Sequence, residues 1–163
     1  YHLKKNYENV LTDLIIGIEH VGSTSIPGIL AKPIIDIDIV IKDYTVFPDV
    51  VTRLKRMGYS HNGNQGIEHR EAFIRQDDFV PYGSPRRHWL IHNLYVCPEF
   101  SRELRRHVLF RDYLTEHKNA RMEYERLKVE IEKRSFGSRK IYADIKEEEC
   151  REFVASIIRK AEG

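Results

Sequence analysis

The hydrophobic positions of this chain follow two periods, one typical of helices and one typical of strands. Short apolar runs rich in isoleucine and valine predict β-strands at residues 16–21, 34–41, 72–75 and 88–96. Apolar residues at three- and four-residue spacing predict helices at residues 3–14, 45–57, 101–117, 119–134 and 146–161. This order predicts an α/β (α+β) fold: a mixed, mostly antiparallel sheet flanked by helices, with a C-terminal helical block.

The chain shows no linker and no internal repeat, so we expect a single domain over residues 1–163. Its sheet-bearing core would occupy residues 1–99, and the helical block residues 100–163. The segment Pro81-Tyr-Gly-Ser-Pro85 is typical of a turn. It separates the last two predicted strands, which we therefore expect to pair antiparallel.

Composition narrows the class of protein and its partners. Of the 163 residues, 41% are hydrophobic and 32% are charged, which is typical of a folded domain and excludes a disordered or fibrous chain. The net charge is only +2, so no global field favours nucleic acid, although residues 100–140 hold twelve basic and seven acidic side chains. No apolar run approaches the roughly 20 residues of a membrane span. We therefore expect neither a membrane nor a nucleic acid as a partner.

Two cysteines, Cys97 and Cys150, lie far apart in the sequence. Neither a disulfide framework nor a four-cysteine zinc site can be built from them. Reduced thiols are typical of the cytoplasm, which is the location that we expect.

A glycine followed by three hydroxyl residues forms the first candidate site. Gly22 ends a predicted strand, and Ser23, Thr24 and Ser25 follow it at the start of a short turn or helix. Backbone N–H groups and hydroxyls in such a turn are suited to holding phosphate oxygens. The simpler alternative is a hydroxyl cap on a glycine turn, with no ligand.

Two aspartates interrupt the most apolar strand of the chain. Asp36 and Asp38 alternate with isoleucines, so the period of a strand places both carboxylates on one face. Neighbouring buried carboxylates repel each other unless a cation compensates them. Mg²⁺, which prefers oxygen ligands and shares them with substrate phosphates, is the cofactor that this pattern predicts. The alternative is an exposed edge strand with solvated acids.

These motifs carry a resemblance to known families. A Gly-Ser turn, about a dozen residues, and an Asp-x-Asp strand together resemble the nucleotidyltransferase superfamily, in which the turn holds the triphosphate and the acids bind two metals. The longer string from Ile18 to Asp36 is similar to the GrpB family, also called UPF0157. Three further segments match that family: His92-Asn-Leu-Tyr-Val96, Phe110-Arg-Asp-Tyr-Leu114, and Tyr124 with Leu127-Lys128.

The resemblance implies a nucleotidyltransferase-like fold, and together with the chemistry of the residues it predicts a role for each of several side chains. The turn Gly22–Ser25 would hold phosphates, and the metal ligands Asp36 and Asp38 would form the catalytic group with His92, which would orient an acceptor. Four cations would neutralise the phosphates of a nucleotide or another phosphorylated small molecule: Lys32, Arg75, Arg111 and Lys128. For His92 the alternative is a hydrogen-bonded histidine of the core or surface, and for the cations it is a solvated or paired side chain.

One element of the enzymatic pattern is missing. A third carboxylate is expected on a later strand, but residues 88–96 contain none, and the nearest acids in sequence are Glu71, Asp77 and Asp78. Two functions therefore stay open. The protein is either a Mg²⁺-dependent nucleotidyltransferase or a catalytically inactive module of the same fold that binds a nucleotide or a protein partner.

Overall fold

A computed structural model describes residues 2–163, apart from the side chains of residues 139, 143 and 147. Its strands are β1 (Gly17–Val21), β2 (Ile35–Ile41), β3 (Tyr59–His61), β4 (Glu71–Arg75) and β5 (His92–Pro98). Its α-helices are α1 (His2–Leu11), α2 (Phe47–Arg56), α3 (Arg102–Glu116), α4 (Lys118–Arg134) and α5 (Arg139–Glu162). The five strands form one sheet in the order β1-β2-β5-β4-β3. The predicted mixed sheet with helices and a C-terminal helical block is confirmed.

The sheet is mostly antiparallel, as predicted, because only β2 and β5 run parallel. The segment 81–85 does connect two antiparallel strands, β4 and β5. Strand β2 lies between β1 and β5, so the aspartate-bearing strand is not at an edge of the sheet.

The two faces of β2 meet different partners. Ile37, Ile39 and Ile41 point to the face that α1 and α2 cover, where Tyr7 and Leu54 also belong to the main hydrophobic core. Each such side chain stabilises the fold by about 1.5–3 kcal/mol when it leaves water. The alternation of strand side chains then directs both aspartates to the opposite face, on the side of α3.

Helix α3 covers part of this second face. Leu104 packs there against Val40 of β2 and Cys97 of β5. The helix begins after Ser101, whose hydroxyl accepts a hydrogen bond from the Leu104 N–H at 3.3 Å. This cap fixes where α3 starts and therefore which of its side chains face the aspartates.

The helical block has a separate core that reaches the turn after β1. Leu114, Tyr124, Ile131 and Ile157 from the three helices are buried together, and Ile26 from the turn is buried with them. The glycine and hydroxyl turn is therefore held between the sheet and the helical block.

The structure moves the starts of two predicted elements and adds one strand. Strand β5 begins at His92 rather than at 88, and β3 was not predicted because its three residues are too short to show alternation. Helix α5 begins at residue 139, because the Ser138 hydroxyl accepts a hydrogen bond from the Ile141 N–H. The acidic run at 147–149 therefore lies inside α5, not in its first turn. Among the described residues, no helix combines the length and apolar character that crossing a bilayer requires.

Candidate functional site

The turn after β1 lies directly against the first aspartate of β2. Gly22 has φ 72° and ψ −175°, a backbone conformation that is nearly exclusive to glycine. A Cβ at this position would lie 2.2 Å from Asp36 Oδ2 and 3.2 Å from Asp36 Cβ. Glycine is therefore required twice, for its backbone angles and for the close approach of the Asp36 side chain.

A cavity of about 310 Å³ opens beside this contact, between the end of the sheet and the helical block. We call it the lysine cavity, because Lys32 from the loop before β2, Lys128 of α4 and Lys146 of α5 all line it. Asp36 is the one carboxylate among the described residues that line it. Its cationic side chains therefore outnumber its anionic ones three to one.

Six residues that the sequence predicted as site residues line this cavity: Gly22, Ser23, Thr24, Lys32, Asp36 and Lys128. They come from the turn, the following loop, β2 and α4, so residues a hundred positions apart in the sequence meet here. Ser25 does not line it, and its hydroxyl donates instead to the carbonyl oxygen of Gly22 at 2.6 Å.

The lysines are held in place by the walls of the cavity. Lys128 Nζ donates to the carbonyl oxygen of Leu30 at 2.6 Å, and Lys32 Nζ lies 4.5 Å from the ring centre of Tyr142. Burial and the charge of Lys146 lower the pKa of Lys128. Since like charges that are gathered in this way repel each other, an anion between them would relieve the repulsion.

Aromatic rings form the apolar part of the same cavity. Phe110, Tyr124 and Tyr142 line it, and the Tyr124 hydroxyl lies 3.4 Å from the Ser23 hydroxyl. Burial raises the pKa of Tyr124 to about 12, so this phenol stays neutral at physiological pH. The cavity therefore combines cationic and hydroxyl groups with ring faces that can pack against an organic ligand.

Asp36 is oriented by its neighbour on β5. The parallel register places Asn93 opposite Asp36, and Asn93 Nδ2 donates to Asp36 Oδ1 at 2.7 Å. This bond and the Gly22 contact hold the half-buried carboxylate at the edge of the lysine cavity.

Asp38 has a different environment. It is fully buried, and His107 of α3 donates from Nδ1 to Asp38 Oδ2 at 2.7 Å. His107 Nε2 lies 3.2 Å from Glu103. Burial disfavours the charge on His107, but the hydrogen bonds and charges of Asp38 and Glu103 outweigh burial and raise its pKa to about 9. The cation that compensates Asp38 is therefore an imidazolium.

This arrangement does not fit the two-metal clamp that the resemblance implies. Asp36 and Asp38 do lie on one face of β2, and Asp38 Oδ1 is buried without a hydrogen-bond partner. However, His107 holds the other oxygen of Asp38. Across residues 2–163 as described, no group of three or more His, Cys, Asp or Glu side chains is arranged to hold a metal.

His92 is not at the lysine cavity. The register pairs it with Ile35, so its side chain lies on the face of the sheet opposite to Asp36. Its Nδ1 is 2.8 Å from the Leu90 carbonyl, which can only accept, so Nε2 accepts from the Tyr59 hydroxyl at 2.6 Å. Burial lowers the pKa of His92 to about 4. The position of His92 agrees with the alternative of a hydrogen-bonded core histidine.

Two of the predicted phosphate cations lie outside the lysine cavity. Arg111 of α3 donates from Nη1 to Glu19 at 2.6 Å and to the carbonyl oxygen of His20 at 2.9 Å, so it ties α3 to β1. Arg75 of β4 lies beside a different cavity, between β4 and β5. Neither side chain is placed to contact a ligand in the lysine cavity.

Sequence reasoning missed three residues of the site. Lys146 gave no distinct signal, because a lysine on a helix is usually solvated. The position of Asn93 opposite Asp36 depends on the register of β5 against β2, which no local sequence pattern specifies. His107 had a weak signal, since it follows Glu103 by four residues and so shares a helix face with it.

Comparisons with known proteins test the family resemblance of the chain. The profile of the GrpB protein family matches residues 2–159. The chain belongs to the GrpB family. Its match to the UPF0157 protein YqkA of Bacillus subtilis is 34% identical over 128 residues, 78% of this chain and 34% of that protein. The chain therefore spans about a third of the length of that relative.

The matches to two other relatives cover a larger share of the relative's own length. The UPF0157 protein BH1888 of Halalkalibacterium halodurans is 32% identical over 142 residues, 87% of this chain and 67% of that protein. The glutamate-rich protein GrpB of Alkalihalophilus pseudofirmus is 30% identical over 160 residues, which are 96% of this chain and 85% of that protein. The family that the sequence motifs predicted is thus confirmed.

A solved structure supports the fold. The chain is similar to the crystal structure of conserved protein GrpB from Enterococcus faecalis, with a TM-score of 0.76 and 23% identity. The match covers 99% of this chain and 92% of that one. The mixed sheet with its helical block is therefore the architecture of a GrpB protein.

Proposed function

We propose that this protein binds a phosphorylated small molecule, with a nucleotide as the leading class, in the lysine cavity. The observation that carries the proposal is the convergence of Lys32, Lys128 and Lys146 on the turn at Gly22 and Ser23. Phosphate oxygens would accept hydrogen bonds from the lysines and the hydroxyls. A nucleobase or sugar would pack on the aromatic wall.

Charge and size both support this class of ligand. One charge pair at 4 Å is worth about 4 kcal/mol near a protein surface before desolvation is subtracted, so three lysines strongly favour a polyphosphate over a neutral molecule. The cavity volume of about 310 Å³ suits a small molecule. Two neighbouring lysines in one partly buried space are costly without such a ligand.

Binding is tested with two lysines of the same helix. Lys128 lines the cavity, whereas Lys133 of α4 is exposed and paired with Glu130 at 2.9 Å. Calorimetry with ATP, GTP, CTP and UTP should find a nucleotide that binds the wild type. Lys128→Met should weaken it about tenfold or more, and Lys133→Met should leave it within about twofold. Binding by none of the four would refute a nucleoside triphosphate as the ligand, and equal effects of both substitutions would refute the lysine cavity as the binding site.

Turnover separates the two functions that the sequence left open. The pairing of Asp38 with His107 favours a binding module, which would bind the nucleotide in EDTA as well as in Mg²⁺ and release no pyrophosphate. The unpartnered Asp38 Oδ1 favours the second candidate, Mg²⁺-dependent nucleotidyl transfer. Pyrophosphate release that requires Mg²⁺ and is lost in both Asp36→Asn and Asp38→Asn would establish the enzyme. Binding without release would establish the module.

A further inference from the structure

A second cavity, of about 260 Å³, lies where two strands of the sheet part. The ladder between β4 and β5 ends at Phe73 and Leu94, while β4 continues to Arg75 and β5 has already begun at His92. We call the space between them the Arg75 cavity. Gln65, Asn93 and Tyr95 line it together with Arg75.

Arg75 is a buried cation with little compensation. Its side chain is only 11% exposed, and it forms a salt bridge of 3.4 Å to Asp78, which is 76% exposed. Nη1 donates to the Leu90 carbonyl at 3.2 Å, and Nε is buried with no hydrogen-bond partner among the described residues. Charged groups in such positions are normally paired, because an unpaired one is strongly destabilising.

The buried polar groups on the core side of Arg75 supply no negative charge. A chain of hydrogen bonds links Tyr7, Tyr59 and His92. The two hydroxyl oxygens are 2.6 Å apart, and the Tyr59 hydroxyl is 2.6 Å from His92 Nε2. All three stay neutral at physiological pH, since burial raises the pKa of both phenols and lowers that of the imidazole. The acids that act on Arg75 are the exposed Asp77 and Asp78, and exposed ion pairs contribute little, so an anionic ligand would add compensation.

A second arginine strengthens the positive character of this region. Arg70 lies over the ring of Tyr95, with its guanidinium carbon 4.4 Å from the ring centre. Its Nε is also buried without a hydrogen-bond partner in the described part of the chain, and its Nη2 is 3.5 Å from Gln65, which lines the cavity. Arg70 does not line the cavity, but its contacts with Gln65 and Tyr95, which do, place a second guanidinium close to it.

We propose that the Arg75 cavity binds a small molecule through an oxyanion group, either a carboxylate or a phosphate. A guanidinium group matches the oxygens of such a group, and the weak 3.4 Å contact with the exposed Asp78 can give way to a ligand. Asn93 lines this cavity and the lysine cavity, and its amide donates to Asp36, which lines the lysine cavity. The occupant would therefore be the direct neighbour of a ligand in the lysine cavity, although the proposal does not depend on that ligand.

The test compares two variants that place a negative or a positive charge at the same position beside the cavity. Ile74 lines it and is 51% exposed, so either charge is tolerated there without burial. Succinate, L-glutamate and inorganic phosphate are titrated separately by calorimetry, without nucleotide. At least one should bind the wild type. Ile74→Glu should weaken it about fivefold or more, while Ile74→Lys should keep or tighten it.

A second variant addresses Arg75 itself. Arg75→Gln should weaken the same probe at least about tenfold, and Arg56→Gln, an exposed arginine of α2, should have no effect. Circular dichroism checks that Arg75→Gln is folded. If it is not, the comparison of Ile74→Glu with Ile74→Lys still tests the proposal. The probe that binds identifies the oxyanion as carboxylate or phosphate.

Two results would overturn the inference. One is that none of the three probes binds at millimolar concentration; the other is that Ile74→Glu and Ile74→Lys have equal effects. The test of the proposed function is independent of this one. Nucleotide affinity at the lysine cavity depends on Lys128 and should be unchanged in both Ile74 variants.

Discussion

Replacement of Gly22 by alanine perturbs the contact on which the candidate site is built. The backbone part of the cost arises because φ 72° and ψ −175° are strained for any residue with a Cβ. We expect about 1–3 kcal/mol from this strain.

The contact with Asp36 adds a second cost. The new Cβ would lie 2.2 Å from Oδ2, 3.0 Å from Cγ and 3.2 Å from Cβ of Asp36. Rotation of the carboxylate relieves the first of these contacts but breaks the hydrogen bond from Asn93, which is worth about 1.5–3 kcal/mol for a charged acceptor. The expected total is a loss of about 2.5–6 kcal/mol, a large part of the roughly 5–15 kcal/mol that stabilises a typical domain.

Gly28 provides the matched control. It also has a positive φ, of 79°, but a Cβ there would meet nothing within 4 Å. Gly28→Ala should therefore cost only the backbone strain, about 1–2 kcal/mol. The free energies of unfolding are measured in urea, with the fluorescence of Trp89, the one tryptophan of the chain, as the signal.

The comparison has a clear refutation. If Gly22→Ala and Gly28→Ala lower the free energy of unfolding equally, the turn and Asp36 are not in contact as described. A double-mutant cycle refines the result, because Asp36→Ala removes the two carboxylate contacts and should recover part of the loss in Gly22→Ala.

Three further predictions concern residues around the site. The pKa of His107, about 9, exceeds the unfolded value of about 6.5, so its stabilisation of up to about 3 kcal/mol is complete below pH 6.5 and is lost as pH rises through 9. His107→Asn should flatten this alkaline loss in urea unfolding, and an unchanged slope would contradict the pairing. The pKa of His92 is shifted in the opposite direction, to about 4, so its contribution to stability is complete above pH 6.5 and is lost as the pH falls to 4. His92→Gln should remove this loss of stability at acid pH. His88→Asn, which changes an exposed histidine, should not remove it. Arg111→Lys should lower the free energy of unfolding by about 1–3 kcal/mol through its bonds to β1 and leave nucleotide affinity within about twofold; a large loss of affinity instead would mean that Arg111 contacts the ligand.

Local chemistry explains what the sequence predicted correctly. The aspartate strand, the glycine turn and the helical block each follow from periodicity or turn residues within a few positions, and the structure has all three. The start of α5 was wrong by several residues, because its cap is a single Ser138 hydroxyl that resembles any other loop serine. Strand β3 carried too few residues for a pattern.

The sequence by itself determined the family, the two faces of β2 and six of the residues that line the lysine cavity. The tertiary structure alone decided which side chains meet across the sheet. The register of β5 against β2 brings Asn93 to Asp36 and sends His92 to the opposite face, and a shift of one residue would exchange them. Docking of α3 supplies His107 as the cation beside Asp38. Charge compensation of a buried carboxylate depends on the nearest cation in space, and the distance along the chain does not contain that information.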